Sequence, residues 1–104
     1  MLELRPNCEW CGVDLPPNDV RARICSYECT YCAECAENIL QNVCPTCGGD
    51  MVRRPIRPAR EWRPGSGLGL RHHPAGEKRH ETRWTLSDAE HMIRLVGSIP
   101  PDRR

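Results

Sequence analysis

Residues 25–35 read Cys25-Ser26-Tyr27-Glu28-Cys29-Thr30-Tyr31-Cys32-Ala33-Glu34-Cys35. Upstream stands Cys8-Glu9-Trp10-Cys11-Gly12, and downstream Cys44-Pro45-Thr46-Cys47-Gly48-Gly49. The eight cysteines of the chain thus fall into four pairs, with two residues between the partners or, for Cys25 and Cys29, three. Such spacing lets two thiolates reach one ion from a tight knuckle, and a tetrahedral Zn²⁺ needs two knuckles. The set supplies two all-cysteine sites with no thiol left over. Spacing alone leaves the pairing open. A sequential arrangement joins Cys8, Cys11, Cys25 and Cys29, then Cys32, Cys35, Cys44 and Cys47. An interleaved one joins Cys8, Cys11, Cys32 and Cys35, then Cys25, Cys29, Cys44 and Cys47.

The residues around the pairs suit metal knuckles. Gly12 and Gly48 each follow a cysteine, where a positive φ turns backbone N–H groups toward sulfur. Val20, Ala22 and Ile24 alternate with Arg21, Arg23 and Cys25, the pattern of a short half-exposed strand. Residues 33–43 hold no Gly or Pro and place Ala36, Ile39, Leu40 and Val43 at helical spacing, so a helix is expected there, stopped by Pro45. Cys35 falls in its first turn, where the dipole favours a thiolate. Met51-Val52 reads as a last short strand.

Length and composition set outer bounds. The chain has 104 residues, no Phe, and 38% hydrophobic residues, below the usual 45–50% or so, which excludes a large enzyme core. No apolar run approaches the roughly 18 residues of a membrane span. Met1-Leu2-Glu3-Leu4-Arg5-Pro6 lacks the basic and apolar regions of a secretory signal, so a cytoplasmic chain with reduced thiols is expected.

Charge divides the sequence. Residues 1–50 carry three arginines against eight acidic groups, and residues 51–104 carry twelve basic groups against six acidic ones. Every Cys lies in the first half and every His in the second. The expected organisation is a two-zinc Cys-rich domain over 1–54, a disordered Pro/Gly/Arg-rich linker over 55–84, and a C-terminal stretch over 85–104. In that stretch, Ser87-Asp88-Ala89-Glu90 reads as a capping box. Ala89, Met92, Ile93 and Val96 then form one face of a short amphipathic helix over about 87–96, with Gly97 as its C′ glycine. Alone it is too short to persist in water. Arg53, Arg54, Arg57, Arg60 and Arg63, with Trp62, are read as a solvated tail in preference to a nucleic-acid contact. His72, His73 and His80 are expected as free imidazoles. Tyr27 and Tyr31 are read as core or hairpin neighbours.

The ligand order C-x2-C-x13-C-x3-C-x2-C-x2-C-x8-C-x2-C resembles the eight-ligand pattern of RING fingers, with Cys29 where that family usually has His. The resemblance implies the interleaved pairing: Cys8, Cys11, Cys32 and Cys35 on zinc 1, and Cys25, Cys29, Cys44 and Cys47 on zinc 2. It implies a short hairpin carrying the second pair and a helix after the third. It also implies a partner-contact face, for which the candidates are Trp10, Ile39, Leu40 and Pro45. For Trp10, packing over the zinc site is the preferred reading over a partner contact.

Beyond the cysteines, the first 58 residues resemble a bacterial family of small proteins, the domain-of-unknown-function family 1272. Met1-Leu2-Glu3-Leu4-Arg5-Pro6-Asn7-Cys8, Asp14-Leu15-Pro16-Pro17, Ala22-Arg23-Ile24-Cys25, Glu28-Cys29, Cys44-Pro45-Thr46-Cys47-Gly48-Gly49 and Arg53-Arg54-Pro55 carry that resemblance. It implies zinc and supplies no activity.

The expected fold is therefore a small metal-dominated α+β module, cross-braced and RING-like or treble-clef-like, with a hairpin, one helix and a basic tail. The expected function is zinc-stabilised protein–protein recognition without catalysis, through an unidentified protein partner. The alternatives are a RING-type ubiquitin-ligase-like adaptor and a thiol/zinc redox sensor. Gly48 stands after the eighth ligand, where active ligases often carry a basic residue. Iron is the weaker metal reading, because residues 25–35 reverse the bacterial ferredoxin spacing.

Overall fold

A computed structural model describes residues 1–104. Strands β1 (Ala22–Ile24), β2 (Thr30–Cys32) and β3 (Val52–Arg53) form one antiparallel sheet in the order β2-β1-β3. Ala22 pairs with Cys32 and Ile24 with Thr30, while Ile24 faces Val52 across the other edge. The alternation legible in β1 is real: Ala22 and Ile24 are buried and Arg23 is half-exposed. Val20, which shares that alternation, lies before the strand and is exposed.

All three residues of β2 are buried, because its outer edge is covered. The Thr30 N–H donates to Glu9 Oε2 at 2.5 Å, and the Glu9 N–H donates to the Thr30 carbonyl at 2.9 Å. Arg5 donates to the same carboxylate at 2.9 Å, so the buried charge of Glu9 has a partner.

The helix expected over 33–43 is shorter. It runs over Cys35–Ile39 with wide turns, the Leu40 N–H bonding to the Cys35 carbonyl. Gln41 and Asn42 then adopt φ of 49° and 62°. These two left-handed residues, and not Pro45, end it. They fold the chain back so that Leu40 and Val43 stay in the core and Cys44 comes toward the second pair of cysteines. Asn tolerates this conformation; Gln bears roughly 1–2 kcal/mol of strain.

Twelve buried residues form the central cluster, and five of them are Cys8, Cys25, Cys32, Cys35 and Cys44. The remainder (Leu15, Ala22, Tyr31, Ala36, Leu40, Met51 and Ala89) cannot close a core without them. Tyr31 is wholly buried, whereas Tyr27 is 72% exposed at the hairpin turn.

Arg54 is 1% exposed, and the charge of Asp19 only partly offsets its burial. Its guanidinium donates to the carbonyls of Arg5, Leu15 and Pro16 at 2.9, 3.1 and 3.1 Å. It thereby ties the N-terminal segment and the first loop to the end of β3. Burial lowers its pKa from the ordinary arginine value.

Residues 55–84 contain no helix or strand, yet they do not hang free as expected for a disordered linker. Composition misleads here because polar contacts, not apolar burial, fix the segment. Arg57 donates to the carbonyls of His73 and Leu2 at 2.6 and 2.7 Å. The Gly76 N–H reaches the Leu4 carbonyl, and the Thr82 N–H that of Glu9. The Asn7 amide pairs with both backbone groups of His80, at 2.8 and 3.1 Å. Gly69, with φ of 105°, packs so closely on Arg60 that a Cβ would lie 2.8 Å from its carbonyl oxygen.

Helix α1 covers Leu86–Val96. Its cap is Thr85, not Ser87: Thr85 Oγ1 accepts from the Asp88 N–H, and Asp88 Oδ2 accepts from the Thr85 N–H. The Asp88 carboxyl is held below its usual pKa by that backbone bond. Gly97 is right-handed, with φ of −60°, so it is not a left-handed cap; a side chain there would strike the Ile93 carbonyl. Ala89 is buried, and Met92, Ile93 and Val96 are half-buried, while Leu86 and Leu95 are exposed.

Replacing Arg54 with Ala strands three carbonyls. The expected loss is about 3 kcal/mol, or roughly 12–24 °C in the thermal midpoint of the metal-loaded protein. Arg54→Lys should lose nearly as much, since one ammonium cannot serve three carbonyls in a fork. A midpoint unchanged in both variants contradicts this role.

Candidate metal centre

The first and fourth pairs sit on the same backbone device. In one, the Cys8 N–H donates to the Val13 carbonyl and the Gly12 N–H to the Cys8 carbonyl; in the other, the Cys44 N–H donates to the Gly49 carbonyl and the Gly48 N–H to the Cys44 carbonyl. Gly12 and Gly48 have φ of 84° and 76°, the conformation that their place after a cysteine predicts. The second pair lies at the turn of the β1–β2 hairpin, closed by the Cys25 N–H on the Cys29 carbonyl at 3.1 Å. The third pair joins β2 to the helix.

These devices bring the sulfurs of Cys8, Cys11, Cys32 and Cys35 within 4.8 Å of one another. Cys25, Cys44 and Cys47 form a second group at the same range. Cys29 lies outside that mutual range; the hairpin turn sets it beside Cys25. The first pair thus meets the third, and the second meets the fourth. Neither group takes in a histidine. His72 instead stands 3.1 Å from Glu61, and His80 lies 3.2 Å from Glu3 without hydrogen-bond alignment.

The donors fit a metal ion. Cys11 and Cys32 sulfurs are 3.8 Å apart, the edge of a tetrahedron whose bonds are about 2.3 Å, the Zn–S length. A disulfide needs roughly 2.0 Å, and all eight cysteines are free. Backbone N–H groups also point at sulfur in each knuckle: Cys11 to Cys8 at 3.4 Å, Tyr27 to Cys25 at 3.3 Å, Cys35 to Cys32 at 3.5 Å, and Gly49 to Cys47 at 3.3 Å. Such donors stabilise thiolate ligands.

The thiols cannot all ionise on their own. Burial pushes Cys32 and Cys35 up, and donation of its S–H toward Cys25 and Cys29 pushes Cys44 up. Cys29, sharing a proton of Cys25, is drawn down to about 3. A divalent cation removes this conflict by compensating the charge of the thiolates together.

The candidate partner face fares differently. Leu40 is wholly buried and Pro45 is also covered, so neither presents a free surface. Trp10 and Ile39 are half-buried and pack on the central cluster. Arg57 is engaged internally, which thins the basic stretch. The sequence reading missed Asn7 and Glu9 and placed Arg54 in a solvated tail, whereas it is buried on three carbonyls; none of these polar groups has a spacing signature.

Residues 1–57 match the family described as protein of unknown function (DUF1272). An uncharacterized protein of Rhizobium meliloti (strain 1021) is 63% identical over 59 residues, which cover 57% of this chain and 70% of that protein. No solved structure matches the chain. The cysteine-bearing half is therefore the shared part, and by that match the chain belongs to the DUF1272 family.

Proposed function

We propose that the chain is a structural zinc module with two interleaved four-cysteine sites, serving protein–protein recognition without catalysis of its own. The observation that carries this reading is the convergence of knuckles distant in sequence on common thiol groups. An all-thiolate, four-ligand set is the mark of a structural zinc site, because it leaves no coordination position for substrate. The interleaving of pairs, the hairpin bearing the second and the helix after the third also support a RING-like or treble-clef-like cross-brace. With metal bound, the head carries about −9 and the chain about −3, since the ligands are deprotonated. Such a head repels nucleic acid and favours a protein partner. The reading places the protein in the reducing cytoplasm. No helix is long and apolar enough to cross a membrane.

Gly48 at the place after the eighth ligand, with Leu40 and Pro45 covered, weighs against a ligase-like adaptor. One observation favours a redox role as the second reading. Cys11 and Cys47 are exposed, so a peroxide can reach one ligand of each group.

Zinc-edge X-ray absorption should find four sulfurs at about 2.3 Å and no nitrogen or oxygen; light-atom ligands contradict the all-cysteine assignment. Substituting Cys44→Ser should unfold the head, because each structural zinc contributes on the order of 10–16 kcal/mol. A variant that keeps its protected sheet amides contradicts the structural role. Incubation with activating and conjugating enzymes should yield no ubiquitin adducts, and adduct formation would reinstate the ligase.

A further inference from the structure

The segment beyond residue 57 lies outside the family match, yet the contacts of its stretch from Trp84 to Arg104 converge on one knuckle. Trp84 Nε1 donates to Thr46 Oγ1 at 2.9 Å, and Arg104 Nη1 donates to the Gly48 carbonyl at 2.7 Å. A Cβ on Gly48 would lie 3.6 Å from Met92 Sδ and 3.7 Å from Val96 Cγ2. Ala89 is 2% exposed in the same cluster as Cys44. Thr46 and Gly48 flank Cys47, the exposed ligand of the second group. The seat of α1 is therefore the loop that carries two of the second group's thiols. The first group is gripped by a different stretch: Arg79 donates to the Gly12 carbonyl and pairs with Asp14.

We propose that Trp84–Arg104 is a cover over the second cysteine centre, docked only while that centre holds its metal, and slowing the loss of that metal in return. This rests on the reading of Cys25, Cys29, Cys44 and Cys47 as a metal centre. An 11-residue helix does not persist alone in water, so α1 depends on its seat. Without the ion, no metal–sulfur bond ties Cys44 and Cys47 to Cys25, and on this proposal the Cys44–Gly49 loop loosens. Coupling between two sites is reciprocal: if metal holds the seat, the docked helix holds the metal. Release unfolds the helix and exposes Ala89, Met92, Ile93 and Val96, so loss of one ion becomes an unfolded C-terminal segment.

The test uses the full-length protein, checked first for two bound metals by native mass spectrometry; a metal-free protein refutes the underlying reading and not the coupling. Ala89→Arg places a guanidinium at the buried contact, keeps a good helix former and leaves all eight cysteines intact. Leu95→Arg, on the exposed face, is the control. Hydrogen exchange of residues 86–96 and zinc transfer to a chromogenic chelator are followed together. In Ala89→Arg, the helix amides should exchange freely and one zinc should transfer about tenfold faster, within the usual range of coupling, with the other unchanged. Leu95→Arg should match the unmodified chain. Free helix amides with both transfer rates unchanged would overturn the proposal, as would helix amides of the unmodified chain that stay protected after both ions are withdrawn. Should Ala89→Arg not fold, Val96→Glu, at the half-buried edge, makes the same comparison.

Discussion

Everything in this protein depends on holding eight thiol groups together in a small domain, five of them in its interior. Five of the twelve residues in the central cluster are cysteines. In most domains of this size the apolar residues hold the core and the site is an addition. Here five of the candidate ligands are themselves core residues, and the aliphatic contribution of Leu15, Leu40 and Met51 is too small to close a core alone. The sheet supports the same end. Its three short strands place Cys25 and Cys29 at one turn and pass Cys32 and Cys35 to the helix.

Around this centre the polar groups act as ties between segments. Glu9 satisfies the edge of β2, Asn7 pairs with the backbone of His80, and Arg54 gathers three carbonyls from two loops. Each bond contributes only about 0.5–1.5 kcal/mol net. Their placement matters more than their strength, because they connect the cysteine loops to one another and to the strap over 55–84. The acidic first half and the basic second half are thereby in contact: Arg79 meets Asp14 and Arg104 meets the Gly48 carbonyl.

The parts of this arrangement that were legible in the sequence are those governed by local rules. Paired cysteines, knuckle glycines, the alternation at Ala22 and Ile24, and the apolar face of α1 all have a fixed spacing. The interleaved meeting of pairs did not follow from spacing, because either pairing satisfies a tetrahedral ion; it came from the likeness to RING fingers. The end of the helix at Ile39 was hidden, since Gln41 and Asn42 adopt left-handed conformations under tertiary demand. Thr85 outcompetes Ser87 as the cap for a similar reason: the chain enters α1 from the contact of Trp84 with Thr46. Low hydrophobicity suggested a free tail because composition counts apolar area and cannot see bonds such as those of Arg57 to two distant carbonyls.

On the proposed reading, metal ions bound by all eight cysteines hold the head together. The decisive measurement is native mass spectrometry of the chain as purified under reducing conditions. A single species carrying two zinc ions is expected, which a strong chelator converts to a metal-free protein with the broad, highly charged ion distribution of an unfolded chain. A compact ion distribution that persists in the metal-free protein would contradict it.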